Sequence, residues 1–205
     1  MNEFRIHNLW PVPVYKSEIP VREKWKVLIK GLEYERTHVN NSDISKDRFL
    51  LNSMPELKKE IEQHCENYVR RYLTVKDKIK FYLLNSWCNI HGPDEFSQIH
   101  CHGNSILSGV YYPIFPKNSG DIAFHRAWNF KNISDQNIML EFEEHNNITA
   151  QQYQVDIKEG DIVLFPSHID HSVDKNKSNE NRFSIAFNFF VKGVFGKEEY
   201  KLEIK

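Results

Sequence analysis

Two short histidine stations and one arginine are the residues of this chain best suited to do chemistry. They are His100-Cys101-His102, then Pro166-Ser167-His168-Ile169-Asp170-His171, then Arg182-Phe183-Ser184. Residues two apart project from the same side of an extended backbone, so His100 and His102 can reach a single metal ion. A third imidazole can come from His168 or His171. His171 is the better choice, because His168 falls in the turn that Pro166 and Ser167 begin. The tripeptide His168-Ile169-Asp170 also has the spacing of a His-x-Asp ligand pair, but no histidine after His171 completes such a site within that stretch. Neutral imidazoles suit Fe(II), Cu(II), Ni(II) and Zn(II) alike, so three of them do not select the metal.

Arg182 adds a second requirement. Arg182, Ser184, Ala186 and Asn188 alternate with Phe183, Ile185, Phe187 and Phe189. A strand of period two therefore carries a polar face of small residues with one arginine and an aromatic face opposite. That polar face fits a wet pocket, with the aromatic face packed on helices. A guanidinium on an inward face is costly without an anionic partner, and its planar fork fits a carboxylate. Ser184 can donate to the same group. The partner is either a bound carboxylate or a protein one, with Asp170 and Asp174 the candidates.

The elements that must hold these residues read as helices first and strands afterwards. Residues 9–15 carry Pro11 and Pro13 and are expected to be extended. Residues 21–38 have helical spacing in Trp25, Leu28, Ile29 and Leu32, and residues 55–73 repeat it at Leu57, Ile61, Cys65, Tyr68, Val69 and Tyr72. Ser53 or Asn52 is the expected cap of the second helix, with Pro55 in its first turn. From Lys80 onward, short β-branched and aromatic runs alternate with turn residues such as Pro93-Asp94, Asn118-Ser119-Gly120 and Gly160-Asp161. The pattern predicts an α+β, mainly β chain. Its strands form a barrel or sandwich, and early helices cover one sheet.

At 205 residues the chain is expected to form one domain over 1–205, with a helical part at about 20–75 and a β core at about 80–205. A formal net charge of −1 with dispersed charges excludes a broad basic surface for nucleic acid and a polybasic membrane patch. The apolar runs are far shorter than the roughly 20 residues a spanning helix needs. The start lacks a signal-peptide profile, so a cytoplasmic protein is expected. Cys65, Cys88 and Cys101 form no CxxC pair, which argues against a disulfide framework or a structural zinc site. The sequons at Asn132 and Asn147 are read as chance matches.

Taken together, Trp87-Cys88-Asn89, His100-Cys101-His102, Leu107-Ser108-Gly109-Val110-Tyr111-Tyr112, the segment from Phe165 to Val173, and Arg182 to Asn188 resemble the 2-oxoglutarate and Fe(II)-dependent oxygenases. The similarity is to the branch of short members that share these motifs, and with residues 9–15 it spans nearly the whole chain. The resemblance implies a double-stranded β-helix, or jelly roll, with N-terminal helices packed on its larger sheet. It implies Fe(II) held by His100, His102 and His171, with 2-oxoglutarate as co-substrate anchored by Arg182, Ser184 and Tyr112. Ser108 shares a strand face with Tyr112 and is placed in the same pocket; the other reading of Tyr112 is a core aromatic. The implied reaction is oxidative decarboxylation of 2-oxoglutarate to succinate, coupled to hydroxylation of a small-molecule or protein side-chain substrate by O2.

One position departs from the commoner pattern. Most of these enzymes place Asp or Glu where this chain has His102, and imidazole in that place leaves the site more positive by about one charge. Two other readings share the histidines. One is a cupin-type three-histidine dioxygenase that needs no oxoacid, though it lacks a following glutamate and leaves Arg182 without a task. The other is a non-catalytic jelly-roll protein that keeps a metal for stability. Substrate contacts are expected from the loops at 91–98, 128–136 and 146–152, with Asn89, Trp128 and Arg126 as candidates. A dimer is compatible with the sequence.

Overall fold

A computed structural model describes residues 5, 7, 11–37, 40–126 and 140–205. Two antiparallel sheets face each other. The larger has the order β1-β9-β6-β11-β4-β3-β2, with β12 added to β11, and the smaller has the order β5-β10-β7-β8. The strands are β1 Tyr15–Glu18, β2 Tyr34–Thr37, β3 Ser42–Ser45, β4 Lys80–His91, β5 Ser97–His100, β6 Leu107–Ile114, β7 Ile122–His125, β8 Gln152–Val155, β9 Asp161–Pro166, β10 His171–Val173, β11 Arg182–Phe195 and β12 Leu202–Ile204. This is the jelly roll, and it follows from many short strands closing two sheets over one interior.

The helices are α1 Glu23–Lys30 and α2 Pro55–Asn67. α1 is shorter than the helical spacing over 21–38 suggests. Gly31 ends it, and Tyr34–Thr37 pairs with Ser42–Ser45 as β2 and β3, which join β4 through Asp43↔Ile90 and Ile44↔Asn89. A sheet edge at β4 therefore overrides a local pattern compatible with helix, and the part of the chain expected to be helical contains two strands. α2 begins at Pro55 as predicted, but neither Ser53 nor Asn52 caps it. Met54 precedes the helix, residues Leu50–Ser53 form a 3-10 turn, and Asn52 Oδ1 accepts instead from Lys58 Nζ at 3.0 Å. Beyond Asn67 the helix widens into a π turn over Tyr68–Tyr72.

Two apolar clusters hold the layers. Trp25, Ile29, Leu57, Ile61 and Cys65 from the helices pack on Phe183, Ile185, Phe187 and Phe189 of β11, so the aromatic face of that strand meets the helices. Between the sheets lie Tyr112, Ile122, Phe124, Val163, Phe165 and Ile169. Tyr111 and Tyr112 thus point to opposite faces of β6, the former against Trp25 and the latter into the barrel. Gly109 is glycine for a packing reason: a Cβ there would sit 2.5 Å from the Phe187 ring and 2.6 Å from Leu164.

Candidate metal and co-substrate site

β11 and β4 form the floor of the site. Their register pairs Arg182 with His91, Ser184 with Asn89, Ala186 with Trp87 and Asn188 with Asn85. Period two turns both rows toward the smaller sheet, which brings His100 from β5 and His171 from β10 as a cross-strand pair. The backbone N–H of His102 donates to Ser167 O at 2.9 Å, which fixes the segment after β5. A cavity of about 200 Å³ lies between, lined by all three histidines, Trp87, Asn89, His91, Ser97, Tyr112 and Ser184.

His100, His102 and His171 each offer a ring nitrogen within 4.8 Å of the others. Which nitrogen is set by hydrogen bonds. His100 Nδ1 lies 2.7 Å from Gln98 O, and His171 Nδ1 lies 3.0 Å from Ile169 O. A carbonyl only accepts, so both Nδ1 atoms carry the proton and both Nε2 atoms keep a free lone pair. His102 Nδ1 lies 2.6 Å from Asn188 Oδ1 and 3.0 Å from Ser108 Oγ. Asn188 is oriented in turn, because its Nδ2 donates to Asn85 Oδ1 at 2.9 Å and Ser108 Oγ donates to its Oδ1 at 2.7 Å. All three rings are thus held with Nδ1 protonated and Nε2 free for a metal, which is how second-layer hydrogen bonds prepare imidazole ligands.

Burial acts in the same direction. Loss of solvent, followed by the neighbouring His100, pushes His171 down to about 3, and burial lowers His102 as well. Both stay neutral at physiological pH, the state that binds a metal. Among the described residues no carboxylate belongs to the cluster. His168 is exposed and stands outside it.

Behind the cavity wall, across the sheet from His91, Arg182 is fully buried and Nη1 donates to Ser119 O at 2.6 Å and Gly120 O at 2.5 Å. Gly120 has φ of +90°, and a Cβ there would lie 2.1 Å from Asp174 O, so this carbonyl cradle requires glycine. Arg182 Nε and Nη2, and the Tyr112 hydroxyl, are buried and have no hydrogen-bond partner. Among the described residues no carboxylate is paired with Arg182: Asp174 is taken by Gln154 Nε2, and Asp121 accepts from Ile157 N. Burial lowers Arg182 only to about 10, so it remains a cation. A buried cation with two free N–H groups beside a free phenol fits a bound carboxylate. The donor set therefore fits both groups that the resemblance implies: a divalent metal at the imidazoles and a dicarboxylate reaching Arg182.

The other predicted residues fall in different places. Ser184 lines the cavity beside Arg182. Ser108 does not reach the arginine; it sits behind His102, bonded to His102, Asn188 and Ser167. It lies four positions along β6 from Tyr112, so a shared strand face does not mean a shared pocket. Asn89 lines the cavity, and its Oδ1 accepts from Trp87 Nε1 at 3.2 Å. Arg126 is committed to the turn at 146–150, donating from Nε and Nη2 to Ala150 O at 3.1 and 3.0 Å and from Nη2 to the carbonyls of Asn147 and Ile148. It holds that loop instead of standing free for substrate. Trp128 and the loop at 128–136 lie outside the described residues. Asn188, Asn85 and His91 were given no role by motif, although all three lie on the inward faces that the alternation defines.

Several solved structures share this fold. A prolyl-4-hydroxylase from Pseudomonas putida aligns with a TM-score of 0.57 at 14% identity, over 89% of this chain and 94% of its own. HygX from Streptomyces hygroscopicus, solved with nickel and 2-oxoglutarate bound, aligns with a TM-score of 0.55 at 12% identity, over 82% and 77%. A 2OG-Fe(II) oxygenase family oxidoreductase from Burkholderia pseudomallei gives 0.56 at 12% identity, over 82% and 77%. No curated protein matches the chain. The family model described as "Putative 2OG-Fe(II) oxygenase" matches residues 85–188. Those residues run from the asparagine that orients Asn188 to Asn188 itself and include every histidine of the cluster and the arginine, and over them the chain belongs to the family of 2-oxoglutarate and Fe(II)-dependent oxygenases.

Proposed function

We propose that the protein is a 2-oxoglutarate- and Fe(II)-dependent dioxygenase in which His100, His102 and His171 bind the metal through Nε2. Arg182, Tyr112 and Ser184 bind the distal carboxylate of 2-oxoglutarate. The observation that carries the reading is a cavity lined by three imidazoles with free Nε2 atoms and by Tyr112, His91 and Ser184, with a buried arginine across the sheet from His91 whose Nε and Nη2 have no partner. When bound, the iron supplies the oxidative decarboxylation of 2-oxoglutarate to succinate and CO2 and the coupled hydroxylation of a substrate C–H bond.

The chain's own residues do the rest. Nδ1–H donation to Gln98, Asn188 and Ile169 orients the imidazoles, and burial keeps His102 and His171 neutral. Arg182, fixed by two carbonyls, presents the remaining edge of its guanidinium without rearrangement. Phe165 and Phe124 pack against His171, with ring centroids 4.7 and 6.2 Å away, and keep water from that side. Asn89 and Trp87 form a neutral wall for substrate. Relatives of the fold include a prolyl-4-hydroxylase and a HygX structure with hygromycin B bound, so both a protein side chain and a small molecule are compatible substrates. The unpartnered arginine favours this reading over a three-histidine dioxygenase without an oxoacid.

Anaerobic titration with Fe(II) and 2-oxoglutarate tests it, followed by a succinate assay on admitting air. The expected outcome is a metal-to-ligand absorption band that requires both components and is lost in Arg182→Ala. Absence of the band in the wild-type protein, or the same 2-oxoglutarate affinity in Arg182→Ala, refutes the assignment.

A further inference from the structure

Among the described residues, eight buried side-chain N or O atoms lack a hydrogen-bond partner, and five of these belong to Arg182, Tyr112, Ser119 and His91. Three of those residues already have a place: Arg182 is buried behind the cavity wall, Ser119 holds it through its carbonyl, and Tyr112 lines the cavity. His91 is the fourth. It is the cross-strand partner of Arg182, it is 1% exposed, and it lines the cavity. Its Nε2 lies 2.9 Å from Ser97 Oγ, whereas its Nδ1 has no partner.

The tautomer follows from Ser97. No other acceptor takes the Ser97 hydroxyl proton among the described bonds, and we assign the tautomer that satisfies it, in which Ser97 donates to Nε2 and Nδ1 carries the proton. Burial, followed by the charges of Arg182 and Arg36, holds the ring neutral. A charged imidazole directly across from a buried guanidinium would be repelled, but a neutral N–H donor is compatible with it. Buried polar groups are otherwise hydrogen-bonded, so unpartnered donors on Arg182, Tyr112 and His91 call for an acceptor that they share.

We propose that His91 is a co-substrate-binding residue, with its Nδ1–H, held in place by Ser97, donating to the distal carboxylate that Arg182 and Tyr112 engage. The inference rests on the oxygenase reading above. It adds a neutral donor to the single cation, so the pocket recognises one carboxylate by geometry without a second positive charge.

The test uses Ni(II)-loaded full-length protein, which binds the oxoacid without turnover, titrated with 2-oxoglutarate and with 2-oxovalerate, in which a methyl replaces the distal carboxylate. His91→Leu is expected to weaken 2-oxoglutarate binding about tenfold, the loss of one hydrogen bond to a charged group. 2-Oxovalerate and Ni(II) affinities should be unchanged. His91→Asn, whose amide can place an N–H near the original Nδ1, should restore most of the affinity, and Ser97→Ala should weaken 2-oxoglutarate in the same selective way. Equal 2-oxoglutarate affinity in wild type, His91→Leu and Ser97→Ala would overturn the role of His91. So would equal losses for 2-oxoglutarate, 2-oxovalerate and Ni(II), which mark a purely structural residue. Failure of the wild-type Ni(II) protein to bind 2-oxoglutarate at all would instead sink the co-substrate reading itself.

Discussion

Asn188→Leu tests whether a neutral amide prepares His102 for the metal. Leucine keeps the approximate volume but removes the oxygen 2.6 Å from His102 Nδ1 and the nitrogen that donates to Asn85 at 2.9 Å. Stranding a buried polar group costs about 1–3 kcal/mol. Ser108 Oγ, 3.0 Å away, can still accept from His102 and offsets part of that cost. The expected loss is therefore near the low end, about 1.4 kcal/mol, or tenfold in the metal dissociation constant, within the 10- to 100-fold range typical of outer-layer partners. Removing Ser108 as well, in Asn188→Leu/Ser108→Ala, takes away the substitute and should move the loss toward a hundredfold. Asn188→Asp works in the opposite direction: a carboxylate on Nδ1 makes the imidazole a stronger donor and restores the negative charge that the ligand set lacks. Metal binding should tighten, while the metal-free protein is destabilised by the buried charge. Chelator competition with Ni(II) gives the dissociation constants, and thermal melts with and without metal give the linked stabilities. If Asn188→Leu binds Ni(II) as wild type does and Asn188→Asp binds no tighter, the orientation of His102 does not depend on this network and the argument fails.

Three further outcomes follow from the same geometry. His171→Ala should abolish measurable Ni(II) binding, whereas His168→Ala, on an exposed turn, should leave it within about twofold by titration calorimetry; equal effects would show that the wrong station member was chosen. His91 and His171 have folded-state affinities for protons below the unfolded value of about 6.5, so the unfolded chain binds more protons beneath that pH. Their contribution to stability is complete above about pH 6.5 and is lost as pH falls, for His171 until about 3. Urea melts of the metal-free protein between pH 7 and 4 should thus show wild type losing stability relative to His91→Asn, and a constant difference would contradict the neutral assignment. Gly109→Ala forces a methyl into the Phe187 ring and Leu164, and should cost about 1–3 kcal/mol in a denaturant melt; a neutral effect would mean that the helix-facing core is loosely packed.

Much of the site was legible because it lies on strands, where period two converts sequence spacing into direction. The alternation from Arg182 to Asn188 placed the small polar residues inward and the phenylalanines against the helices, and the turn at Pro166 and Ser167 separated His168 from His171. What could not be read depends on pairing between distant segments. β2 and β3 are a strand pair only because β4 offers an edge to them, and the local residues are equally compatible with a continued helix. Ser108 and Tyr112 were placed together because they share a face, but position along β6 separates the back of His102 from the arginine's end. The partnerships of His91 with Arg182 and of Asn85 with Asn188 span 91 and 103 residues of chain and exist only through the register of β4 on β11.

That register also joins fold to function. The polar face of β11 carries Asn188, which is bonded to His102, and the buried Arg182, to which we assign the co-substrate, while its other face is the aromatic core under α1 and α2. A slip of one residue against β4 would turn Arg182 and Asn188 into the helix-packed core and bring Phe183 and Phe187 into the cavity. Burying the guanidinium there without its carbonyl cradle at Ser119 and Gly120 would cost far more than the lost aromatic packing alone. The aromatic face that stabilises the sheet therefore also fixes which residues meet the imidazoles. A chain that folds with this core has its histidines around the cavity and its arginine behind the His91 wall as a consequence, and substitutions that loosen the Phe187 and Gly109 contact should disturb 2-oxoglutarate binding without touching it.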